Sequence, residues 1–228
     1  GDAIDAFLAA IKAARDGGQD VTTEAYPYGA GMTEIQSALF DDWQKWPDDR
    51  FALHQLVSTG ERLTRATFAK ARAAGGTVII HGRSEEQTRA AIASPLAMIA
   101  SDGFIENGRG HPRTSGSYAK VLGKYVRDDK TMTLIDALRR MTLDPARRLE
   151  KRTPAMANKG RLKVGADADL AIFDPATVID RSTYEDASIP SAGIPYVIVG
   201  GQVVVDGGNV TAARPGRAIR APLAARSR

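Results

Sequence analysis

The chain has 228 residues, of which 43% are hydrophobic and 25% charged, a composition typical of a folded water-soluble domain rather than of a disordered or fibrous protein. No apolar run approaches the length of a membrane span, and the absence of cysteine excludes a disulfide framework and a cysteine-rich zinc site. By default we expect a cytoplasmic protein with no membrane partner.

The net charge of +4 is concentrated at the carboxyl terminus. Five arginines and no acidic residue lie in 212–228, and removing their charge from +4 leaves −1 for the rest of the chain. A nucleic-acid surface needs positive charge on a folded face with aromatic or motif support, whereas this segment is rich in proline and alanine. We therefore predict a disordered tail over 212–228 and no nucleic-acid partner.

The amino-terminal part of the chain predicts a helix, a strand and a polar loop. Helical spacing runs over 4–15, two glycines then end the helix, and 21–25 is typical of a strand. Tyr26 and Tyr28 follow in a proline turn. They indicate either a functional loop or packing at the rim of the sheet, because tyrosine suits both apolar and wet surroundings.

The next segment is mostly polar or helical. Phe40, Trp43 and Trp46 recur at helical spacing, which favours a core stripe or a partner surface over a platform for stacking bases. His54 is surrounded by apolar residues, so we interpret it as a packed histidine rather than a ligand. A further helix is predicted over 62–74.

Two more short apolar strands are predicted at 77–80 and 96–100, separated by a helix that begins at Ser84. Each is short, apolar and followed by a polar loop, which is typical of strands that are buried on both faces. Together with the strand at 21–25, they favour consecutive right-handed βαβ units of one parallel sheet.

Polar residues follow each of these strands. In one parallel sheet Tyr26, His81 and Asp102 would share an edge, where open sheets and barrels place their chemistry. A glycine-rich loop after Asp102 adds His111 and Arg113. Taken alone, Asp102 is more simply a capping residue, as aspartate often is after a strand. The polar residues predicted to lie near Asp102 favour a functional site instead.

The pattern changes in the last third of the chain. An amphipathic helix over 134–150 is interrupted at Asp144-Pro145. Strand-like runs then follow at 162–164, 170–173, 196–199 and 202–205. Gly200 and Gly201 indicate a two-residue hairpin turn between the last two runs. The sequence therefore predicts a small β module after an α/β body.

Five stretches of the chain carry a family resemblance. They are Ser101-Asp102-Gly103, His111-Pro112-Arg113, VLGKYVR at 121–127, KGRLKVGADADLAIFD at 159–174 and YVIVGGQVVVDGG at 196–208. Together they resemble the D-aminoacylase, or N-acyl-D-amino-acid deacylase, branch of the amidohydrolase superfamily. The likeness extends back to 21–28, whereas the last two stretches alone would indicate only the superfamily.

The resemblance implies an α/β fold: the C-terminal part of a (β/α)8 metallo-dependent hydrolase barrel, followed by a small β-sandwich module. The implied boundaries are 1–153 for the barrel part, 154–211 for the small β domain and 212–228 for the tail. In the family an HxH-type pair, a bridging or Cys ligand and two further histidines hold the metal, all N-terminal to anything in this chain. We therefore expect those ligands on a missing N-terminal half or a partner chain.

The resemblance also implies roles for individual residues in the zinc-dependent hydrolysis of N-acyl-D-amino acids, with one or two Zn²⁺ ions. Asp102 matches the base that takes a proton from water and returns it to the leaving nitrogen, while also able to touch the metal. Arg113 suits the α-carboxylate of the substrate, because a guanidinium makes bidentate contacts. Tyr26 is its hydrogen-bonding companion. His81 and His111 would line the substrate pocket or only support the loop.

Other functions remain open. A different substrate within the superfamily, a cyclic amide as in hydantoinase-like or dihydropyrimidinase-like enzymes, is the nearer alternative. A chain without the first metal ligands could also be a non-catalytic scaffold subunit, self-associating as a homo-oligomer. Met32 stands where some relatives carry serine, so no hydroxyl contact is expected there. The preference for D over L substrates rests wholly on the resemblance.

Overall fold

The computed structural model describes residues 2–222, without the side chain of Asp2. The α-helices are α1 (Asp2–Asp16), α2 (Asp48–Phe51), α3 (Arg65–Ala74), α4 (Glu85–Ala93), α5 (Arg113–Lys120), α6 (Leu134–Met141) and α7 (Leu143–Glu150). The strands are β1 (Thr23–Ala25), β2 (Ala30–Glu34), β3 (His54–Leu56), β4 (Thr77–His81), β5 (Ala97–Ile99), β6 (Ile105–Glu106), β7 (Arg109–Gly110), β8 (Leu170–Ile172), β9 (Tyr196–Val199), β10 (Gln202–Asp206) and β11 (Asn209–Val210). No helix within these residues is long and apolar enough to cross a bilayer.

β1 and β5 form the parallel pair that organises the α/β part of the chain. Thr23–Ala25 lies in register with Ala97–Ile99, and the Ala100 N–H donates to the Ala25 carbonyl at 3.0 Å. α4 comes directly before β5, as a crossover between parallel neighbours requires. β5 is buried along its whole length, and Ile99 packs against α4 and the helices that follow.

β4 does not join this pair, so the prediction of three strands in one parallel sheet was wrong. It is the central strand of an antiparallel sheet with the order β2-β4-β3. Residues 30–34, where no strand was predicted, form an edge strand of this sheet. The error has a physical reason: a short apolar run indicates burial, but it does not specify the direction of the strands that pair with it.

An aromatic core packs beside the antiparallel sheet. Phe40 and Trp46 are buried there with Phe68, but two short 3₁₀ turns carry the stripe rather than the single helix that its spacing suggested. His54 stacks on Trp46 with ring centroids 5.1 Å apart, and its Nδ1 lies 3.1 Å from the Arg50 carbonyl. The prediction of a packed histidine is confirmed, and burial lowers its pKa.

The helices after β5 differ in their limits from the predicted ones. α5 begins at Arg113 and continues into a π-helical segment, Val121–Asp128. The helix predicted over 134–150 is two helices that meet at Thr142, rather than one that breaks at Asp144-Pro145. Proline is tolerated at this position because the first-turn N–H groups of a helix have no intrahelical partner.

The C-terminal strands form one antiparallel sheet with the order β11-β10-β9-β8. Gly200 and Gly201 have φ values of +55° and +80°, which confirms the hairpin turn. Residues 162–164 are exposed and form no strand. Residues 154–211 supply this one sheet, so the β-sandwich stays a prediction.

The basic tail is only partly described. Residues 212–222 contain neither helix nor strand. Residues 223–228, with Arg226 and Arg228, lie outside the described residues, so the disordered tail stays a prediction.

Candidate active site

Three of the predicted site residues meet at the carboxyl ends of β1 and β5. Tyr26 directly follows β1, Asp102 lies three residues beyond β5, and Arg113 begins α5. Arg113 Nη2 lies 2.8 Å from Asp102 Oδ2, and the guanidinium carbon lies 4.4 Å from the centre of the Tyr26 ring. Because parallel neighbouring strands end at the same edge of a sheet, the carboxylate of Asp102 and the phenol of Tyr26 lie close together at that edge.

The backbone of Asp102 adopts an uncommon conformation. Its φ is +48°, in the left-handed region that few residues other than glycine, asparagine and aspartate visit. Its side chain is 68% exposed, and α5 has Pro112 rather than an aspartate at its N-cap. The side chain is thus an accessible carboxylate that contacts Arg113, rather than the helix cap of the simpler interpretation.

Arg113 is buried although it is charged. Its side chain is 3% exposed, and its Nη2 lies 3.5 Å from the Met32 carbonyl in addition to Asp102. Within residues 2–222, its Nε has no hydrogen-bond partner. A buried donor left unpaired costs about 1–3 kcal/mol, more when the group is charged. Arg113 thus has one buried donor that no protein group in the described residues satisfies.

His111 holds the loop that presents Arg113. It is fully buried, its Nε2 lies 3.0 Å from the Ala30 carbonyl, and its Nδ1 accepts the Arg113 N–H at 3.0 Å. These contacts require the neutral tautomer with hydrogen on Nε2. Burial, helped by the charge of Arg113, lowers its pKa to about 3. Both nitrogens are used, so the geometry favours loop support over the predicted contact with substrate.

His81 does not lie at the same sheet edge as Asp102, because β4 belongs to the antiparallel sheet and not to the β1-β5 pair. Its Nε2 lies 2.9 Å from Gln55 Oε1, and its ring centroid is 4.8 Å from that of Tyr184. Burial, with the nearby charge of Arg62, lowers its pKa to about 4. His81 is thus a neutral side chain that borders the site through Tyr184.

The structure adds Tyr184, a residue that the sequence analysis missed. Its ring centroid lies 5.1 Å from that of His111, so it closes one side of the site. Burial and the neighbouring Tyr26 raise its pKa to about 12. The residue lies in an irregular segment between β8 and β9, far along the chain from the other site residues. The only indication of Tyr184 in the sequence was a single aromatic residue within a polar stretch.

Buried polar contacts fasten this segment to the site. The Tyr28 hydroxyl donates to Asp180 Oδ2 at 3.0 Å, and Lys120 Nζ lies 4.0 Å from the centre of the Tyr28 ring. Ser182 Oγ donates to the Pro112 carbonyl at 2.8 Å. Of the two interpretations of Tyr28, packing at the rim is confirmed, and the tyrosine anchors the segment that carries Tyr184.

The metal ligands available in this chain are few. Within residues 2–222, no group of three or more His, Asp or Glu side chains could hold a metal ion. Asp102 presents one accessible carboxylate, whereas both nitrogens of His111 are engaged. A zinc site takes three or four protein ligands. The described residues therefore do not form a complete zinc site, although Asp102 fits a single position in one.

A cleft of about 320 Å³ lies at the opposite end of the parallel pair. It borders the residues before β1 and β5 and is lined by exposed cationic side chains such as Arg15, Arg147 and Arg148. Barrel enzymes place their chemistry at the carboxyl ends of the strands, so this cleft is not the candidate active site.

The class of protein follows from comparison with known families. The profile of the Amidohydrolase family matches residues 3–205, and the chain belongs to this family. This confirms the predicted superfamily. The resemblance to its D-aminoacylase branch is confirmed by individual relatives.

N-acyl-D-glutamate deacylase from Alcaligenes xylosoxydans xylosoxydans is 34% identical over 223 residues, which are 94% of this chain and 44% of that protein. D-aminoacylase from the same organism is 32% identical over 196 residues, 82% of this chain and 39% of that protein. The chain thus spans less than half the length of these curated relatives.

Solved structures of the same branch also match this chain. A crystal structure of N-acyl-D-glutamate deacylase from Bordetella bronchiseptica, complexed with zinc and a phosphonate inhibitor that mimics the tetrahedral intermediate, matches with a TM-score of 0.76 and 32% identity. A crystal structure of D-aminoacylase matches with a TM-score of 0.77 and 30% identity. Each match covers 95% of this chain and 46% of the other chain, so the fold is part of a larger amidohydrolase fold.

Proposed function

We propose that this chain is the carboxyl-terminal part of a zinc-dependent deacylase that hydrolyses the amide bond of N-acyl-D-amino acids. The observation that carries the proposal is the accessible carboxylate of Asp102 beside the buried Arg113, whose Nε has no partner in the described residues. Similarity to deacylases and D-aminoacylases supports it. Residues 1–153 would complete the barrel, and 154–211 would form the small β domain.

Asp102 is the proton carrier in this proposal. A bound zinc ion supplies the positive charge that acidifies water and polarises the amide carbonyl. As the water oxygen attacks the carbonyl carbon, Asp102 Oδ takes the proton that the water loses. The same carboxyl group then gives this proton to the amide nitrogen as the C–N bond breaks, so that the amine leaves neutral.

Arg113 and Tyr26 hold the amino-acid part of the substrate. The unpaired Nε of Arg113 gives the substrate α-carboxylate a charge-assisted hydrogen bond, and the planar guanidinium fixes its orientation. Tyr26 packs on the same guanidinium and offers a hydroxyl donor. Holding the α-carboxylate in this way presents the amide bond to Asp102. The principal metal ligands come from polypeptide outside this chain.

The test is the hydrolysis of defined substrates by the full-length, zinc-loaded protein. We expect release of free amino acid from N-acetyl-D-glutamate or N-acetyl-D-methionine, and no release from their L-enantiomers. Asp102→Asn should lower kcat by about 10²- to 10⁴-fold, the usual contribution of a general acid–base group. Asp206→Asn, which changes an exposed carboxylate in β10, is the matched control and should leave kcat unchanged. Hydrolysis of hydantoins or dihydropyrimidines alone would contradict the proposal.

A further inference from the structure

A second concave site lies at the amino-terminal ends of β1 and β5, away from Asp102. It is the cleft of about 320 Å³ between the residues that lead into these two strands and the helices α1, α6 and α7. This volume is at the lower end of the range of about 300–1,000 Å³ for pockets that hold small molecules. The proposed deacylase chemistry does not use the cleft, because that chemistry takes place at the carboxyl ends of the same strands.

The lining of the cleft is strongly positive. Five cationic and two acidic side chains line it, which leaves an excess of three positive charges. A single arginine in the last turn of α1 or α7 would indicate no ligand, because positive charge is favourable at the carboxyl end of any helix. Here, however, side chains from three helices converge on one concavity. The charged residues are Arg15, Asp20, Arg139, Asp144, Arg147, Arg148 and Lys151.

Ion pairs hold part of this lining in place. Arg148 Nη1 lies 2.5 Å from Asp20 Oδ1, and its Nη2 donates to the Asp20 carbonyl at 3.2 Å. These contacts connect α7 to the loop that leads into β1. Arg139 forms an ion pair with Asp144 on another part of the lining. Both acidic side chains of the cleft are thus already paired, so they do not neutralise the remaining cations.

Two arginines of the lining keep donors that no acidic side chain engages. Within residues 2–222, Arg147 forms no ion pair and donates no side-chain hydrogen bond. Over the same range Arg15 forms no ion pair, and it donates only through its Nε, to the Val21 carbonyl at 3.0 Å. Both side chains are exposed to solvent. The planar guanidinium group presents paired N–H donors whose geometry matches that of two phosphate oxygens.

We propose that this cleft binds a small ligand with two phosphate groups, a diphosphate or a bisphosphate. A phosphate monoester carries about 1.5 to 2 negative charges near pH 7. One such group would balance only part of the three excess positive charges, whereas two would balance all of them. The limited volume favours a small molecule over a nucleic acid, which needs an extended basic face. The proposal does not depend on the deacylase, because the two sites lie at opposite ends of the strands.

Calorimetric titration of the full-length protein with inorganic pyrophosphate tests the proposal. We expect saturable binding that is at least about 10-fold tighter than the binding of orthophosphate, because the second phosphate adds charge-assisted contacts. Arg147→Gln should weaken the binding of pyrophosphate by about 10- to 100-fold. The fold should tolerate this change, since the Arg147 side chain has no partner in the described part of the chain. Lys70→Gln removes an exposed positive charge from α3, outside the cleft, and should change the Kd less than about twofold.

The two variants separate binding in the cleft from other sources of affinity. A loss of affinity confined to Arg147→Gln supports the proposal. The same Kd in wild type and Arg147→Gln would mean that pyrophosphate binds elsewhere, for instance on the zinc ion, and would overturn it. An equal loss in Arg147→Gln and Lys70→Gln would indicate attraction by net charge alone, which also overturns it. So does the absence of saturable binding, or equal affinity for pyrophosphate and orthophosphate.

Discussion

Replacement of His111 by asparagine should remove part of the acid sensitivity of the fold. In the folded chain, burial and Arg113 hold the pKa of His111 at about 3, below its ordinary value of 6.5. Between these two pH values the unfolded chain binds a proton that the folded chain does not. The stability due to neutral His111 is therefore complete above pH 6.5 and falls as the pH decreases toward 3.

The size of the effect follows from the two pKa values. One pKa unit corresponds to about 1.4 kcal/mol, so lowering the pH from about 7 to about 5 should cost the wild type about 2 kcal/mol through this side chain. The His111→Asn variant is less stable at both pH values, because the Ala30 carbonyl and the Arg113 N–H lose their buried partner. Its dependence on pH, however, should be weaker by that amount.

Urea denaturation at the two pH values measures this difference. His54 and His81 remain in both proteins, so their contributions cancel when the two pH dependences are compared. Equal pH dependence in wild type and variant would refute the reasoning. So would a His111 imidazole that titrates near its ordinary pKa in the NMR spectrum of the folded protein.

Three further changes test other parts of the account. Arg113→Lys should raise KM for N-acetyl-D-amino acids about 10-fold or more at unchanged zinc content, because an ammonium cannot make the bidentate contact. Tyr28→Phe should lower the free energy of unfolding by about 1–2 kcal/mol in urea titrations, since Asp180 loses its donor. Gly116→Ala should be destabilising by about 1–3 kcal/mol, with a lower Tm, because its Cβ would lie 2.2 Å from the Tyr28 hydroxyl. Unchanged KM or stability would count against each.

Much of the site could be predicted from the sequence because it depends on local rules. A strand-like run between Gly18 and Pro27 indicated β1, and an apolar run between Pro95 and Gly103 indicated β5. The residue that follows a strand lies at its carboxyl end whatever surrounds it. Tyr26 and Asp102 were therefore expected to meet, the family resemblance added Arg113, and the structure brings the three residues together. The glycine hairpin and the capped helix after Ser84 are equally local features.

The features of the site that the sequence did not predict depend on contacts between distant parts of the chain. The apolar run of β4 shows that the strand is buried, but the antiparallel partners that displace His81 from the shared edge are chosen by tertiary packing. Tyr184 reaches the site through the link between Tyr28 and Asp180, which are 152 residues apart. The Nε2 of His111 is likewise engaged by the carbonyl of Ala30, at the start of β2. No spacing in the sequence indicates this contact, because the two residues are far apart along the chain.

The central claim is that Asp102 carries the proton between water and the leaving nitrogen, and kcat at saturating N-acetyl-D-amino acid tests it most directly. The measurement is made on full-length wild type and Asp102→Asn, with the zinc content of each determined in the same sample. At equal zinc content, kcat of the variant should fall by at least about 100-fold. A variant that keeps its zinc and hydrolyses the substrate at the wild-type rate would contradict the account.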